Sequence, residues 1–98
     1  MIFELKFLPS ALKEWSKLGA TIRKQLRKKL TERLENPRIP ADALHGLDDH
    51  YKIKLRSAGY RLVYRVEDKS VTVTVVAVGR REHNEVYKAA AARRNNLP

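Results

Sequence analysis

The N-terminal half of the chain predicts a strand followed by a helical hairpin. Residues 3–8 alternate between apolar and charged side chains, which is the pattern of a half-buried strand. Ser10 is a plausible N-cap for a short helix that stops at Gly19. Thr21 is placed to cap a longer helix, which Asn36 and the proline after it should end. An apolar stripe with a spacing of four runs along this second helix at Ile22, Leu26, Leu30 and Leu34.

The C-terminal half predicts three strands and a closing helix. A loop over residues 37–50 contains two prolines, and strands are expected over 51–56, 60–66 and 71–78. The last of these is nearly continuously apolar and should be central in the sheet. Residues 82–94 contain four consecutive alanines and predict a helix. The fold class is therefore α+β: an N-terminal strand, an αα-hairpin, a three-stranded antiparallel meander and a C-terminal helix, with the helices on one face of one sheet.

The strands over 51–56 and 60–66 form a predicted hairpin that gathers cations on one face. A register that sets Leu55 opposite Leu62 puts the apolar residues of both strands on the same side, as burial requires. No acid occurs within residues 51–66. The cations of the hairpin are Lys52, Lys54, Arg56, Arg61 and Arg65. Like charges opposed across strands repel each other, so this face either binds a polyanion or is an ordinary solvent-facing surface.

Composition places the chain among small, strongly basic proteins. Its 98 residues predict a single domain over 1–98, and 21 lysines and arginines against 11 acids give a net charge of +10. Such an excess is typical of nucleic-acid binding, although an anionic membrane surface or an acidic partner also fits. The chain has no cysteine, and its N-terminus has the pattern of neither a signal peptide nor a spanning helix. A cytoplasmic protein without a membrane role is expected.

The candidate chemistry lies near the start of the last helix. The three histidines are far apart in sequence and no glycine-rich phosphate loop occurs, so neither a metal nor a cofactor is expected. Arg80 and Arg81 fall where the last strand gives way to a helix, and a helix N-terminus favours anions. Tyr87 lies one to two turns into that helix, where its ring either stacks on a base or packs the helix onto the sheet. The second helix is also basic, and its cations are either solvated or contact structured RNA.

Seven short segments carry a family resemblance. They are, in chain order, residues 11–15 (ALKEW), 17–19 (KLG), 34–39 (LENPRI), 51–57 (YKIKLRS), 59–64 (GYRLVY), 78–82 (VGRRE) and 85–87 (EVY). Together they resemble the RelE toxins of bacterial type II toxin–antitoxin systems, in the RelE/ParE superfamily, across nearly the whole chain.

The resemblance implies an enzyme that inhibits translation. RelE toxins are metal-independent endoribonucleases that cleave messenger RNA in the ribosomal A site. The ribose 2′-OH attacks the adjacent phosphate and leaves a 2′,3′-cyclic phosphate and a 5′-OH. The implied partners are a RelB-like antitoxin, the messenger RNA and the small-subunit ribosomal RNA at the A site. The residues that match the catalytic positions of the family are Lys52, Lys54, Arg61, Arg81 and Tyr87.

Elementary chemistry gives these residues roles. The pentacoordinate phosphate gains negative charge, which Lys52 and Arg61 would stabilise. Lys54 is the candidate base, because neighbouring cations disfavour a protonated amine. Arg81 would assist the departing oxygen, but arginine is a reluctant proton donor. His83 is chemically a better acid, at a position that arginine usually occupies in the nearest relatives. Further RNA contacts are expected from Arg56, Arg65, Arg80, Arg23, Arg27 and Lys28.

Two other interpretations remain open at this stage. A non-catalytic RNA-binding or ribosome-binding module would use the same cations for phosphate contacts only. A basic DNA-binding domain is also possible in principle, but the chain shows no recognition helix with base-reading side chains.

Overall fold

The elements of the computed structural model follow the order expected from the sequence. The structure describes residues 2–94, except for the side chain of His83. The strands are β1 (Glu4–Phe7), β2 (His50–Leu55), β3 (Tyr60–Glu67) and β4 (Thr72–Arg80). The helices are α1 (Pro9–Ser16), α2 (Ala20–Glu35) and α3 (Glu85–Arg93), and short 3-10 turns cover Pro40–Asp42, Arg56–Ala58 and Glu82–Asn84. In the described part of the chain no helix is long and apolar enough to cross a membrane.

The four strands form one sheet in the order β1-β4-β3-β2. Strands β2, β3 and β4 are an antiparallel meander, and β1 pairs in parallel with the outer side of β4. This arrangement confirms the predicted α+β class, the meander and the central position of the valine-rich strand. Strand β4 contains a bulge at Val76, between the residues that pair with Val63 and Tyr64.

The helical hairpin covers one face of the sheet. Phe7 of β1 meets Trp15 of α1 with ring centroids 5.3 Å apart, and Leu26 and Leu30 of α2 are fully buried. Burying a leucine side chain contributes about 1.5–3 kcal/mol. The same face carries Tyr64, which is completely buried. Most of the apolar surface of the sheet is therefore used to hold α1 and α2.

Helix α3 lies against the opposite face. A Cβ atom added to Gly79 would stand 3.0 Å from Val86 of α3, and Gly79 pairs with Arg61, which in turn faces Lys54. The prediction that the helices share one face therefore holds for α1 and α2 but is wrong for α3. The hairpin already covers the first face, and glycine leaves room for the buried side of α3 on the second.

The turn of the β2–β3 hairpin lies one residue earlier in the chain than the predicted register places it. Leu55 pairs with Tyr60 and not with Leu62, which faces Ile53. The turn takes the whole 3-10 segment Arg56–Ala58 and Gly59, which has a positive φ of 69°. Because the register differs from the predicted one by two residues, every side chain stays on its predicted face. The opposed pairs change, however, and Lys54 now lies directly across from Arg61.

The helix ends also differ from the prediction. Helix α1 begins at Pro9 with Leu8 as its N-cap, so Ser10 lies inside the helix. Proline has a backbone angle suited to the first helical position, which explains the earlier start. Gly19 is the N-cap of α2 rather than the stop of α1, and Thr21 lies within α2.

Two half-buried arginines hold the elements that surround the cleft described below. Arg33 of α2 donates to Asp42 at 2.6 Å, to the Tyr64 hydroxyl at 2.9 Å and to the Lys52 carbonyl at 3.2 Å. It thereby joins α2, the loop over residues 37–49 and strand β2. Arg93 of α3 donates to both oxygens of Glu14 in α1, at 2.8 and 3.0 Å.

The Glu14–Arg93 pair closes the exposed edge of β4. Strand β1 ends at Phe7, opposite Val75, so β4 has no neighbouring strand beyond that point on this side. There the Val78 N–H donates to Glu14 at 3.1 Å, and Arg93 donates to the Val76 carbonyl at 3.0 Å. These side chains satisfy the backbone groups that an edge would leave open. They also fix α3 relative to the sheet.

Candidate active site

A cleft of about 560 Å³ opens between α3 and the loop that precedes β2. Its floor is the face of β2 and β3 that the helical hairpin does not cover. The described residues that line it are Leu44, His45, Gly46, Leu47, Lys52, Lys54, Arg61, Arg81, Asn84, Tyr87, Ala91 and Arg94. All five residues that the family resemblance assigns to catalysis are among them.

Strand alternation places three cations on the floor of the cleft. Lys52 and Lys54 are two residues apart in β2 and therefore project to the same side. Arg61 of β3 lies opposite Lys54 in the antiparallel ladder. Its side chain is packed in place, since the residue is only 8% exposed and donates to the Tyr60 carbonyl at 2.9 Å. The floor is therefore a preorganised cationic surface.

Arg81 and Tyr87 complete the cleft from the end of β4 and from α3. The Arg81 N–H donates to the Gly59 carbonyl at 2.9 Å, so the chain leaves β4 beside the β2–β3 turn. This contact puts the exposed Arg81 at the end of the floor occupied by Lys54. Tyr87 is half-buried, and Tyr87, Ala91 and Arg94 recur at helical spacing along the side of α3 that faces the cleft.

The charge of the cleft is uncompensated among the residues that line it. Five of the described lining residues are lysine or arginine, and none is aspartate or glutamate. Cations held together in this way favour a bound anion, and a cleft focuses their field. Within residues 2–94 no group of three or more His, Asp or Glu side chains is placed to hold a metal ion.

The other predicted RNA contacts of the sheet lie outside the cleft. Arg56 is exposed in the β2–β3 turn and borders a smaller recess of about 260 Å³ together with Lys54 and Lys29. Arg80 pairs with Tyr60 on the hairpin side, and its guanidinium lies 5.3 Å from the centroid of that ring. Arg65 shares the face of the cleft but is 3.6 Å from Glu67. None of these three lines the main cleft.

The predicted contacts of α2 lie on the side of the molecule away from the cleft. Arg27 and Lys28 are exposed, and Arg23 donates to the Leu18 carbonyl at 3.2 Å. The candidate acid His83 falls in the 3-10 turn Glu82–Asn84. Its side chain lies outside what the structure describes.

Several cleft residues were missed by the sequence analysis. Leu44, His45 and Leu47 belong to an irregular loop, where no periodicity indicates which side chains share a surface. Asn84 adopts a positive φ of 55° just before α3, a conformation that asparagine tolerates better than most residues. The heptad-like spacing of Tyr87, Ala91 and Arg94 is the one signal that was available in advance.

His50 is a buried histidine next to this floor. It is 4% exposed, precedes Lys52 on the same face and pairs with Arg65. Its Nδ1 lies 2.8 Å from the Asp48 carbonyl, while Nε2 has no hydrogen-bond partner within the described residues. Burial lowers the pKa of His50, and the nearby positive charges of Arg65 and Arg94 act in the same direction. The structure therefore favours a neutral imidazole.

Comparison of the chain with known protein families shows the family to which it belongs. The profile of the ParE toxin of the type II toxin–antitoxin system parDE matches residues 5–85. The chain therefore belongs to the RelE/ParE superfamily of type II toxins, which confirms the resemblance found in the sequence.

Individual members of this superfamily are similar to the chain in both sequence and structure. The mRNA interferase toxin RelE of Escherichia coli K12 is 59% identical over 93 residues, which is 95% of this chain and 98% of that protein. The free form of E. coli RelE with two arginines replaced by alanine superimposes with a TM-score of 0.89 at 58% identity, covering 95% of this chain and 98% of that one. In the intact E. coli RelBE complex the toxin is 59% identical with a TM-score of 0.80, covering 83% and 99%.

Proposed function

We propose that this protein is a ribosome-dependent mRNA endoribonuclease toxin of a type II toxin–antitoxin system. The observation that carries the proposal is the convergence of Lys52, Lys54, Arg61, Arg81 and Tyr87 on one cleft whose described lining contains no acid. A cationic cleft with an aromatic side chain suits an RNA phosphate and its base. The relatives at 59% identity that are named mRNA interferases support an enzyme of this class.

The proposed reaction is an attack of a ribose 2′-OH on the adjacent phosphate within the A-site codon. The bond between the 2′-oxygen and phosphorus forms while the bond to the 5′-oxygen breaks, which gives a 2′,3′-cyclic phosphate and a 5′-OH. Lys54 is assigned as the base that takes the 2′-OH proton, because its side chain projects into the cleft directly across from Arg61, beside the bound phosphate. Lys52 and Arg61 stabilise the negative charge that the phosphate oxygens gain.

The leaving 5′-oxygen must gain a proton. Arg81 lies at the end of the floor occupied by Lys54 and provides a positive charge for that oxygen. His83, two residues further along the chain, is the alternative donor. A comparison of the pH–rate profiles of Arg81→Ala and His83→Ala separates the two roles, because loss of the proton donor removes one limb of the profile.

No metal enters this scheme. The cleft presents nitrogen cations, and divalent ions such as Mg²⁺ bind instead to carboxylate and carbonyl oxygens. The cleavage step itself is therefore expected to need no divalent ion beyond the Mg²⁺ that holds the ribosome together.

The ribosome is proposed to hold the message in the in-line geometry that the reaction needs, which lowers the barrier by several kcal/mol. The exposed cations of α2, Arg27 and Lys28, are assigned to ribosomal RNA phosphates. The recess that joins Lys29, Arg56 and Lys54 links α2 to the cleft around the outer strand, and Glu32 and Asp42 also line it. A cognate RelB-like antitoxin is the proposed inhibitor in the cytoplasm, since the relative of 59% identity crystallises with RelB.

The decisive experiment compares free and ribosome-bound message. Purified protein is incubated with a message in a translating extract and with the same RNA without ribosomes, and the cuts are mapped by primer extension. We expect cuts only on ribosomes, with ends that carry cyclic phosphates. Equal rates on both RNAs would instead identify a self-sufficient nuclease.

Two variants test the role assigned to α2. The charge reversal Arg27→Glu/Lys28→Glu should weaken ribosome association, which sedimentation with ribosomes measures. The control Lys6→Glu/Lys69→Glu makes the same change in net charge at exposed positions of β1 and the β3–β4 turn. Ribosome binding without any cleavage by the unmodified protein would favour the non-catalytic binding module.

A further inference from the structure

The cleft has two chemically different ends. Lys54, Arg61 and Arg81 lie near the turn that joins β2 to β3. The loop residues 44–47 precede the start of β2, at the other end of that strand. The floor and the end near the turn carry four of the five charges, whereas the loop contributes two leucines and one imidazole, with Arg94 at the end of α3 as the nearby cation. A phosphate fits the charged end, but the catalytic assignment leaves the loop end without a role.

The backbone of the loop end is held in place by hydrogen bonds to the sheet. Ala43 bridges to Tyr51, the Leu44 N–H donates to the His50 carbonyl at 3.0 Å, and the His50 N–H donates to the Leu47 carbonyl at 3.3 Å. The turn between them requires the positive φ of 80° at Gly46. These bonds fix residues 44–47 on the sheet before any ligand arrives, and preorganised binding groups lose little entropy on binding.

The side chains of this loop are of the types that bind a nucleobase. Leu44 and Leu47 are half-buried, so each packs against the core while also lining the cleft. Tyr87 and Ala91 of α3 line the same cleft. An unpaired base is recognised by side chains that stack on its faces and by hydrogen bonds to its edge. The exposed imidazole of His45 offers both a donor and an acceptor for such an edge.

We propose that Leu44, His45 and Leu47 form a nucleobase subsite for one of the two nucleotides that flank the scissile phosphate. The base lies between the leucines of the loop and Tyr87 of α3, and His45 reads its edge. This subsite rests on the proposed function only in that its ligand is RNA. It makes the loop that precedes β2, and not the cationic floor, the part of the toxin that sets nucleotide preference.

The test uses the full chain with RNA trinucleotides that carry 2′-deoxyribose at the cleavable position. The intact trinucleotide is compared with three versions in which one base at a time is removed, so that the phosphates and the charge stay the same. Binding is measured by titration, and the methyl resonances of Leu44 and Leu47 are followed by NMR. We expect one abasic version to bind about tenfold more weakly, as loss of one stacked base does, and to leave both leucine methyls unshifted.

A second measurement concerns His45. Trinucleotides that differ only in the identified base should bind the unmodified protein with different affinities, and His45→Ala should reduce those differences. The control Lys6→Ala changes an exposed side chain of β1, which lies at the opposite edge of the sheet from β2, and should preserve them.

The two proposals fail separately. The subsite is overturned if the leucine methyls do not respond to the intact trinucleotide, or if they respond equally to all three abasic versions. It is also overturned if His45→Ala leaves the base preference unchanged. None of these results requires cleavage, so an unmodified protein that binds as expected but does not cut ribosome-bound message would overturn only the proposed function.

Discussion

Two groups of arginines in this protein differ in their partners. Arg33, Arg38 and Arg93 each lie within 3.0 Å of a carboxylate oxygen, and each joins segments that are distant in sequence. Arg61 and Arg81, in contrast, line a cleft with no acid among its described residues. Hydrogen bonding to Asp68 raises the pKa of Arg38. This guanidinium therefore stays charged and links the segment after α2 to Asp49 and Asp68. One residue type thus serves as a structural link in one region and contributes to a cationic cleft in the other.

The difference shows that net charge is a poor guide to function until the partners are known. The paired arginines contribute to the +10 charge, but their fields are largely cancelled at close range. The cleft cations repel one another, and only a bound anion relieves that repulsion. Substitutions in the two groups should therefore affect different quantities: stability for the paired group and activity for the cleft group.

The largest expected effect is a loss of activity in the cleft group. Lys54→Ala and Arg81→Ala should each lower the rate of cleavage on ribosomes by roughly 10²–10³-fold, as removal of one transition-state charge contact does. Their free energies of unfolding should change by no more than about 1 kcal/mol. Arg80→Ala is the matched control, because the guanidinium of Arg80 lies over Tyr60 on the other face. Equal activity of Arg81→Ala and Arg80→Ala would contradict the division into groups.

The second effect concerns stability in the paired group. Arg33→Ala leaves Asp42 and the Tyr64 hydroxyl without their donor, and we expect the free energy of unfolding to fall by about 2–3 kcal/mol. Arg27→Ala, on the same helix but exposed, should change it by less than about 0.5 kcal/mol. Urea denaturation of the two variants measures both values. Similar midpoints for the pair would show that Arg33 is no more important structurally than a solvated arginine.

A smaller loss of stability is expected when the Tyr64 hydroxyl, which contacts Arg33, is removed. Its hydroxyl donates to the Pro37 carbonyl at 2.6 Å and accepts from Arg33. Tyr64→Phe removes only this oxygen and should cost about 1–2 kcal/mol of stability, because the Pro37 carbonyl and the half-buried Arg33 guanidinium each lose a partner. Tyr60→Phe, at a half-buried ring, serves as the control, and thermal unfolding of both variants provides the comparison. An unchanged melting temperature for Tyr64→Phe would mean that the Arg33 cluster does not depend on the hydroxyl.

The smallest effect is a pH dependence of stability from His50. Burial lowers the pKa of His50 in the folded state, so below the ordinary value of about 6.5 the unfolded chain binds a proton that the folded chain does not. The contribution of His50 is therefore complete above that pH and is lost as the pH falls towards the folded-state pKa. The groups that face it are Asp48, Asp49, Arg65 and Arg94. His50→Leu should flatten the stability profile between pH 7 and pH 5 in urea denaturation, and an unaltered slope would refute the assignment.

Local patterns predicted the elements well but not all of their contacts. The alternation of residues 51–66 identified the cationic face, because a shift of two residues in register leaves side chains on the same side. It did not identify the pair Lys54–Arg61, which depends on where the turn over residues 56–59 begins. The resemblance to RelE toxins pointed to the five cleft residues, whereas Leu44, His45 and Leu47 sit in a loop without periodicity. Arg65 and Arg80 were expected to contact RNA and lie outside the cleft.

The sequence by itself determined which side chains share a face of each strand and helix, because those relations follow from backbone geometry over a few residues. It therefore sufficed for the α+β class, the amphipathic hairpin and the cationic side of the sheet. Only the tertiary structure decided that α3 crosses that side, since this placement depends on the space left by Gly79 for Val86. It also decided which arginines meet a carboxylate, because Arg93 and Glu14 are 79 residues apart in the chain. Ion pairs between residues so far apart in the chain depend on how whole helices and strands pack, and no local sequence pattern predicts them.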